Sequence, residues 1–212
     1  MNPNERYFSR YVLSFIIATS LFLIIFYVAN SFSYVSYERN TKDHQIITNY
    51  ISELDNYLKN QTCSTNYLFD ASSKLDTVGQ RIDLLEKRLG KSNLRVLEQK
   101  KDYSELEYAH FRIIQRLIED CKADFLTLLY FYTQEKDESD DNEKTAFILN
   151  AFKAEDSDHI MVYSFDASLD SGFIKNLRTW YNITTTPAVV VNGRDIFKVT
   201  HITQLDPYLE KN

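Results

Sequence analysis

The chain has 212 residues, 44% of them hydrophobic and 25% charged, which suffices for one ordinary domain plus accessory segments. A formal net charge of −6 leaves no electrostatic footprint for a nucleic-acid partner, so that class is set aside. With 4 glycines and 3 prolines, the composition disfavours a loop-rich or all-β fold and favours long helices with few breaks.

The 27 positions from 11 to 37 carry no charge, and residues 12–29 are almost continuously apolar. About 20 helical residues cross a hydrocarbon core of about 30 Å. Tyr7, Phe8 and Tyr11 before the run, and Tyr27, Tyr34 and Tyr37 towards its end, suit the aromatic belts of a membrane interface. The run is longer than the h-region of a signal peptide, about 7–15 residues, and no small-x-small cleavage site follows it. A retained single membrane span at 11–37 is therefore expected, with residues 1–10 as a cytoplasmic tail. Arg6 and Arg10 before it balance Arg39 and Lys42 after it, so the positive-inside count is a tie. Two cysteines and two sequons, Asn60-Gln61-Thr62 and Asn182-Ile183-Thr184, tilt the large segment to the extracytoplasmic side of the cell membrane. Asn60 and Asn182 are its candidate glycosylation sites.

Residues 38–122 read as a helical stalk. Ile47, Ile51, Leu54 and Leu58 recur on one helical face, and that helix is expected to end near Cys63. Leu75, Val78, Ile82, Leu85 and Leu89 follow at strict 3-4-3-4 spacing, stopped by Gly90. Ser92 is the expected cap of a third helix, whose stripe is Leu94, Leu97, Leu106, Ile113, Leu117 and Cys121, widened by Ile114 and Ile118. An antiparallel, coiled-coil-like arrangement follows, and the same heptads equally allow a homodimer through the stalk. Folding the chain up and back brings Cys63 to Cys121, which predicts a structural disulfide. The four histidines, His44, His110, His159 and His201, are scattered, so no metal ligand set is expected.

From residue 123 the pattern becomes α/β. Residues 125–132 read as a buried strand, Asp140 with Glu143 as a capping box opening a helix to Ala154, and residues 159–165 as a second strand. Ser168 is the expected cap of the next helix. A right-handed crossover makes the two strands parallel. Residues 188–192 and 195–199 form a hairpin about a two-residue Asn192-Gly193 turn, and residues 202–209 a short helix made irregular by Pro207.

The order βαβαββα over residues 123–212, with Thr184-Thr185-Thr186-Pro187 running into the apolar strand Ala188-Val189-Val190-Val191 and the Asn192-Gly193 turn, resembles the thioredoxin superfamily, in particular its membrane-anchored extracytoplasmic members. That resemblance implies a cis peptide bond before Pro187 and a groove at Thr186 and Pro187 where the backbone of an extended polypeptide pairs with the sheet. It also implies a Cys-x-x-Cys after the first strand, and here the sequence departs from the family. Residues 133–143 hold six carboxylates and one lysine but no cysteine. Negative charge there would oppose a thiolate. The acidic run also lacks the glycine and ligand alternation of an EF-hand loop.

The expected function is accordingly a single-pass, non-catalytic, thioredoxin-like binding or scaffold protein, with no cofactor and with a protein or peptide partner at Thr186 and Pro187. Two alternatives stand beside it. One is a thiol-disulfide oxidoreductase or disulfide-exchange partner using Cys63 and Cys121, and the other is an assembly or sensor subunit recognised through its helices. Cys121 precedes the first strand, whereas the family's active site follows it, about 20 Å away along six residues.

Overall fold

The computed structural model describes residues 3–59, 63, 68–134 and 139–209. The chain divides into two compact units, residues 1–42 and residues 43–212. A single helix, α1 (Pro3–Lys59), contributes to both. Neither glycine nor proline interrupts the sequence between Pro3 and Lys59, so nothing stops the helix.

In the first unit, Tyr11–Ala29 is 19 residues long with a mean hydropathy of 2.6 and makes no buried contacts within the chain. It is long and apolar enough to cross a membrane. Exposed Phe15, Phe22, Ile25 and Phe26 would be an unusual surface in water.

The second unit contains the rest. Helices α2 (Leu68–Leu89) and α3 (Leu94–Cys121) are joined by a short turn in which Gly90, at φ 88°, donates its N–H to Glu86 O at 2.9 Å. The cap of α3 is Asn93, one residue later than expected. Its Oδ1 accepts from Arg95 N at 3.0 Å, which the shorter Ser92 side chain, one position back, does not do. Strand β1 (Leu126–Tyr132) leads to α4 (Ser139–Lys153), β2 (Ile160–Asp166), α5 (Gly172–Trp180), the hairpin β3 (Ala188–Val191) and β4 (Asp195–Phe197), a 3-10 turn at Ile202–Gln204 and α6 (Asp206–Leu209). Asp140 lies inside the first turn of α4, so it is not the cap expected of it, though its charge still faces the positive helix end. The cap of α5 is Ser171 rather than Ser168, because Ser168 turns back to donate its hydroxyl to Asp166 Oδ1.

The sheet order is β2-β1-β3-β4, with β1 parallel to β2 and antiparallel to β3, and β3 antiparallel to β4. Val191 pairs with Asp195, so the hairpin loop has three residues, with both Asn192 and Gly193 at positive φ. Asn192 also binds β1, its Oδ1 accepting from Thr127 N at 3.0 Å.

Two cores flank the sheet. On one face Leu129, Phe131, Met161, Tyr163, Phe165 and Val190 pack against Ile174 and Leu177 of α5 and against Phe111, Ile114 and Leu117 of α3. On the other, Leu128, Tyr130, Val189 and Val191 meet Leu149 and Phe152 of α4 and Leu205. The helices expected to stand apart as a stalk therefore share a core with the sheet, and residues 43–212 fold together. A smaller cluster joins Ile47 of α1 to Leu75, Val78 and Ile82 of α2. The side chains of Leu54 and Leu58 lie outside the described residues.

The expected apolar stripe of α3 forms over its second half, where Ile113, Ile114 and Leu117 are buried, but not at its start. Leu94 is 76% exposed, while Val96, Gln99, Lys100, Ser104, Glu107 and His110 are buried. Leu89 at the end of α2 is likewise exposed.

Candidate functional site

Cys63 and Cys121 form a disulfide, with the Cα atoms 5.7 Å apart and 58 residues between them in sequence. Cys63 is exposed and Cys121 half-buried. Cys121 ends α3, and residues Lys122, at φ 55°, and Ala123, whose N–H bonds Leu117 O at 3.1 Å, turn the chain into β1. The disulfide thus lies at the end of the sheet where β1 begins.

The Thr186–Pro187 peptide bond is cis, Thr186 is half-buried and Pro187 is buried. Ala188, the next residue, pairs with Phe131 near the end of β1. The loop and the disulfide therefore sit at opposite ends of β1, and the structure does not bring them together. Asn182 is exposed, at φ 51°, just after α5. Asn60 lies outside the described residues, as does the middle of the acidic run, residues 135–138. Asp141 of that run binds Lys198 Nζ at 2.6 Å. Among the described residues no group of three or more His, Cys, Asp or Glu could hold a metal ion.

A site that the motif reading did not reach lies at the β2 edge of the sheet. A cleft of about 710 Å³ opens between α2, α3, α4 and the side of β2 that carries Val162, Ser164 and Asp166. One wall holds a buried ion cluster. Lys100 Nζ reaches Glu86 Oε2 at 2.6 Å and Asp166 Oδ2 at 3.1 Å, and Gln134 Nε2 donates to the other Glu86 oxygen at 2.8 Å. One ammonium thereby ties α2, α3 and β2 together. Across the cleft, Lys153 of α4 meets Asp76 of α2 at 3.1 Å. Tyr130 donates to Asn142 O at 2.7 Å, and Asn142 Nδ2 to Thr133 O at 3.0 Å, fixing the start of α4 on the end of β1.

Glu107 lies deeper, 4% exposed. Its Oε1 accepts from Ser164 N at 3.2 Å, while Oε2 has no hydrogen-bond partner. Burial pushes its carboxyl up to about 8, against the opposing pull of the Ser164 N–H and the Tyr103 hydroxyl. At neutral pH it is therefore mainly a neutral acid. Tyr103 reaches this depth because α2 carries Gly79 beside it. A Cβ at position 79 would stand 2.8 Å from the Tyr103 hydroxyl oxygen. Burial, first, and the neighbouring Glu107 and Asp76 charges raise Tyr103 well above the usual phenol range. One turn further along α3, His110 is held between the Tyr163 hydroxyl (2.8 Å from Nδ1) and the Ser72 hydroxyl (3.2 Å from Nε2). Burial lowers it to about 4, so it is a neutral hydrogen-bonding core residue.

A cue to this face was present in the sequence. Positions 96, 100, 104, 107, 111 and 114 recur at helical spacing, but the first half of the series is mostly polar, and the gap between Leu97 and Leu106 in the leucine stripe marks the same place.

No model of a known protein family matches this sequence, and no curated protein matches it either.

Proposed function

We propose that this chain is a single-pass membrane protein whose extracytoplasmic, thioredoxin-like domain takes part in thiol-disulfide exchange as the partner that carries the exchanging bond, Cys63–Cys121. The observation behind this reading is that the two cysteines are bonded to each other and that Cys63 is exposed. An external thiolate attacks the Cys63 sulfur, the bond between the sulfurs breaks, and Cys121 leaves as a thiolate that takes up a proton. The second thiol of an external dithiol then attacks the mixed disulfide at its partner sulfur, closing a disulfide in the external protein and expelling Cys63 as a thiolate, so two free cysteines remain here. Cys121 is the better buried of the pair, so Cys63 is the sulfur open to attack. The test is trapping with a dithiol oxidoreductase that lacks its resolving cysteine. A mixed disulfide through Cys63 in the wild type, lost in Cys63→Ser, is expected. Failure to trap any adduct while the bond stays intact would make it purely structural.

A second reading keeps the domain as a non-catalytic binding or scaffold module. The cis Thr186–Pro187 bond beside the end of β1, together with the β2-β1-β3-β4 order, favours a thioredoxin-like groove in which an extended polypeptide adds its backbone to the sheet. Strand addition of this kind needs no cysteine. Binding of an extended peptide that survives Thr186→Asp and Pro187→Ala unchanged would remove this reading.

A further inference from the structure

The turn that joins α2 to α3 carries a charge opposite to that of the chain as a whole. Between Glu86 and Glu98 stand four basic residues, Lys87, Arg88, Lys91 and Arg95, and no acidic one, on a chain of net charge −6. Lys87 pairs with Asp83 at 2.7 Å, whereas Lys91 and Arg95 form no ion pair among the described residues. All four are exposed, and so are the two leucines that flank the turn, Leu89 at 37% and Leu94 at 76%. A single exposed leucine is ordinary. A pair on the tip of a helical hairpin, ringed by cations, is the combination that suits an anionic lipid surface. The leucines enter among the acyl chains while the lysine and arginine heads stay at the phosphates.

Chain direction supplies the second argument. Ile47 of α1 packs on Val78 and Ile82, Asp55 pairs with Arg116, and Cys63 bonds Cys121, so α1 runs through the second unit away from the tip. Its entry at residue 43 is therefore on the tip's side of that unit, and only residues 30–42 lie in sequence between the entry and the end of the apolar run at Ala29. A tether that short keeps the tip at high local concentration over any bilayer that the run enters. An acidic protein partner would satisfy the same charges without that advantage.

We propose that the α2–α3 turn docks on anionic phospholipid, with Leu89 and Leu94 inserted and Lys91 and Arg95 against the headgroup phosphates. Docking of this kind rests on the single-pass reading of residues 11–37 and is independent of exchange at Cys63–Cys121 and of the Pro187 loop.

The test uses the full-length protein reconstituted in vesicles of phosphatidylcholine, alone or mixed with phosphatidylglycerol. The native cysteines are bonded to each other, so without reductant a single added cysteine takes a polarity-sensitive fluorophore selectively. Ser92→Cys, exposed in the turn, reports on the tip, and Glu155→Cys, exposed ahead of β2, is the control. Emission from position 92 should shift to shorter wavelength, and be quenched by spin labels on the acyl chains, only when phosphatidylglycerol is present. It should return towards the aqueous value in about 1 M salt, where screening shortens the reach of charge to about 3 Å. The ratio of docked to undocked protein should fall about tenfold or more in Lys91→Gln with Arg95→Gln, and likewise in Leu94→Asn. Position 155 should stay aqueous throughout. Extraction by alkaline carbonate checks the span separately, and release of the protein would overturn the single-pass reading and docking with it. A retained protein whose position 92 stays aqueous in phosphatidylglycerol overturns docking alone. An equal shift in phosphatidylcholine would do the same, as would one that grows with the protein-to-lipid ratio and so reports contact between copies.

Discussion

Replacing Glu107 by Gln should change how stability depends on pH more than it changes stability itself. Glu107 titrates at about 8 in the folded state against 4.5 for an ordinary glutamate, and His110 at about 4 against 6.5. Each proton held by one state and not the other tilts stability by about 1.4 kcal/mol per pH unit. Between pH 4.5 and 6.5 the folded state holds an extra proton on Glu107 and the unfolded state one on His110. The two slopes cancel, so these groups leave stability level. Above 6.5 only the Glu107 difference persists, and stability falls by about 2 kcal/mol before levelling near pH 8. Below 4.5 only His110 acts, and stability falls as the pH drops towards 4. The groups facing Glu107 are Asp76, Lys153, Tyr103 and the Ser164 N–H, and those facing His110 are Ser72, Tyr163 and Lys153. With Gln at 107 the alkaline fall disappears. His110 is then unopposed, so stability should rise by about 3 kcal/mol from pH 4.5 to 6.5. Urea unfolding of the full-length protein in detergent, followed by circular dichroism at pH 4.5, 6.5 and 8, measures both changes. A Glu107→Gln protein that still loses stability between pH 6.5 and 8 would refute the assignment.

Lys100→Met should destabilise the fold by about 3–5 kcal/mol in the same assay, because Glu86 and Asp166 would remain buried without their shared cation. Lys100→Met combined with Glu86→Gln and Asp166→Asn should recover part of that loss. Removing the disulfide through Cys63→Ser with Cys121→Ser should lower stability by about 4 kcal/mol on the chain-entropy account of a 58-residue separation, readable as a lower urea midpoint. Gly79→Ala should destabilise despite the roughly 1 kcal/mol that alanine gains within a helix, since its methyl collides with the Tyr103 hydroxyl. In a Tyr103→Phe background the same substitution should be neutral or stabilising, and a double-mutant cycle reads the difference.

The α/β part of the chain was legible because its signals are local. The apolar runs at 125–132 and 159–165 and the Asn192-Gly193 signal each declare themselves within a few residues; strands form at Leu126–Tyr132 and Ile160–Asp166, and the turn forms within a three-residue loop. The Cys63–Cys121 pairing followed from chain direction alone. The caps of α3 and α5 lie one and three residues beyond Ser92 and Ser168, because neighbouring polar side chains compete for the same backbone donors and geometry selects between them. The candidate cleft was the least legible part. Lys100, Ser104 and Glu107 occupy the helical spacing of a solvated face, and they are buried only because α3 lies against β2 and α2, which no local pattern states. For the same reason the leucines at 89 and 94 suggested a longer hydrophobic seam than exists.

The hydrogen bond from Ser164 N–H to Glu107 has a consequence for how the molecule meets copies of itself. β2 is the outermost strand on its side, and an outermost strand with open amides invites another chain to join it. Here one of those amides is spent on a side chain, and α3 stands along the strand. Growth of the sheet from that side is opposed there. The opposite margin is β4, a strand of three residues that begins with Asp195, too short to template a stable partner strand. Pairing of copies of the domain strand to strand is thereby disfavoured at both margins of the sheet.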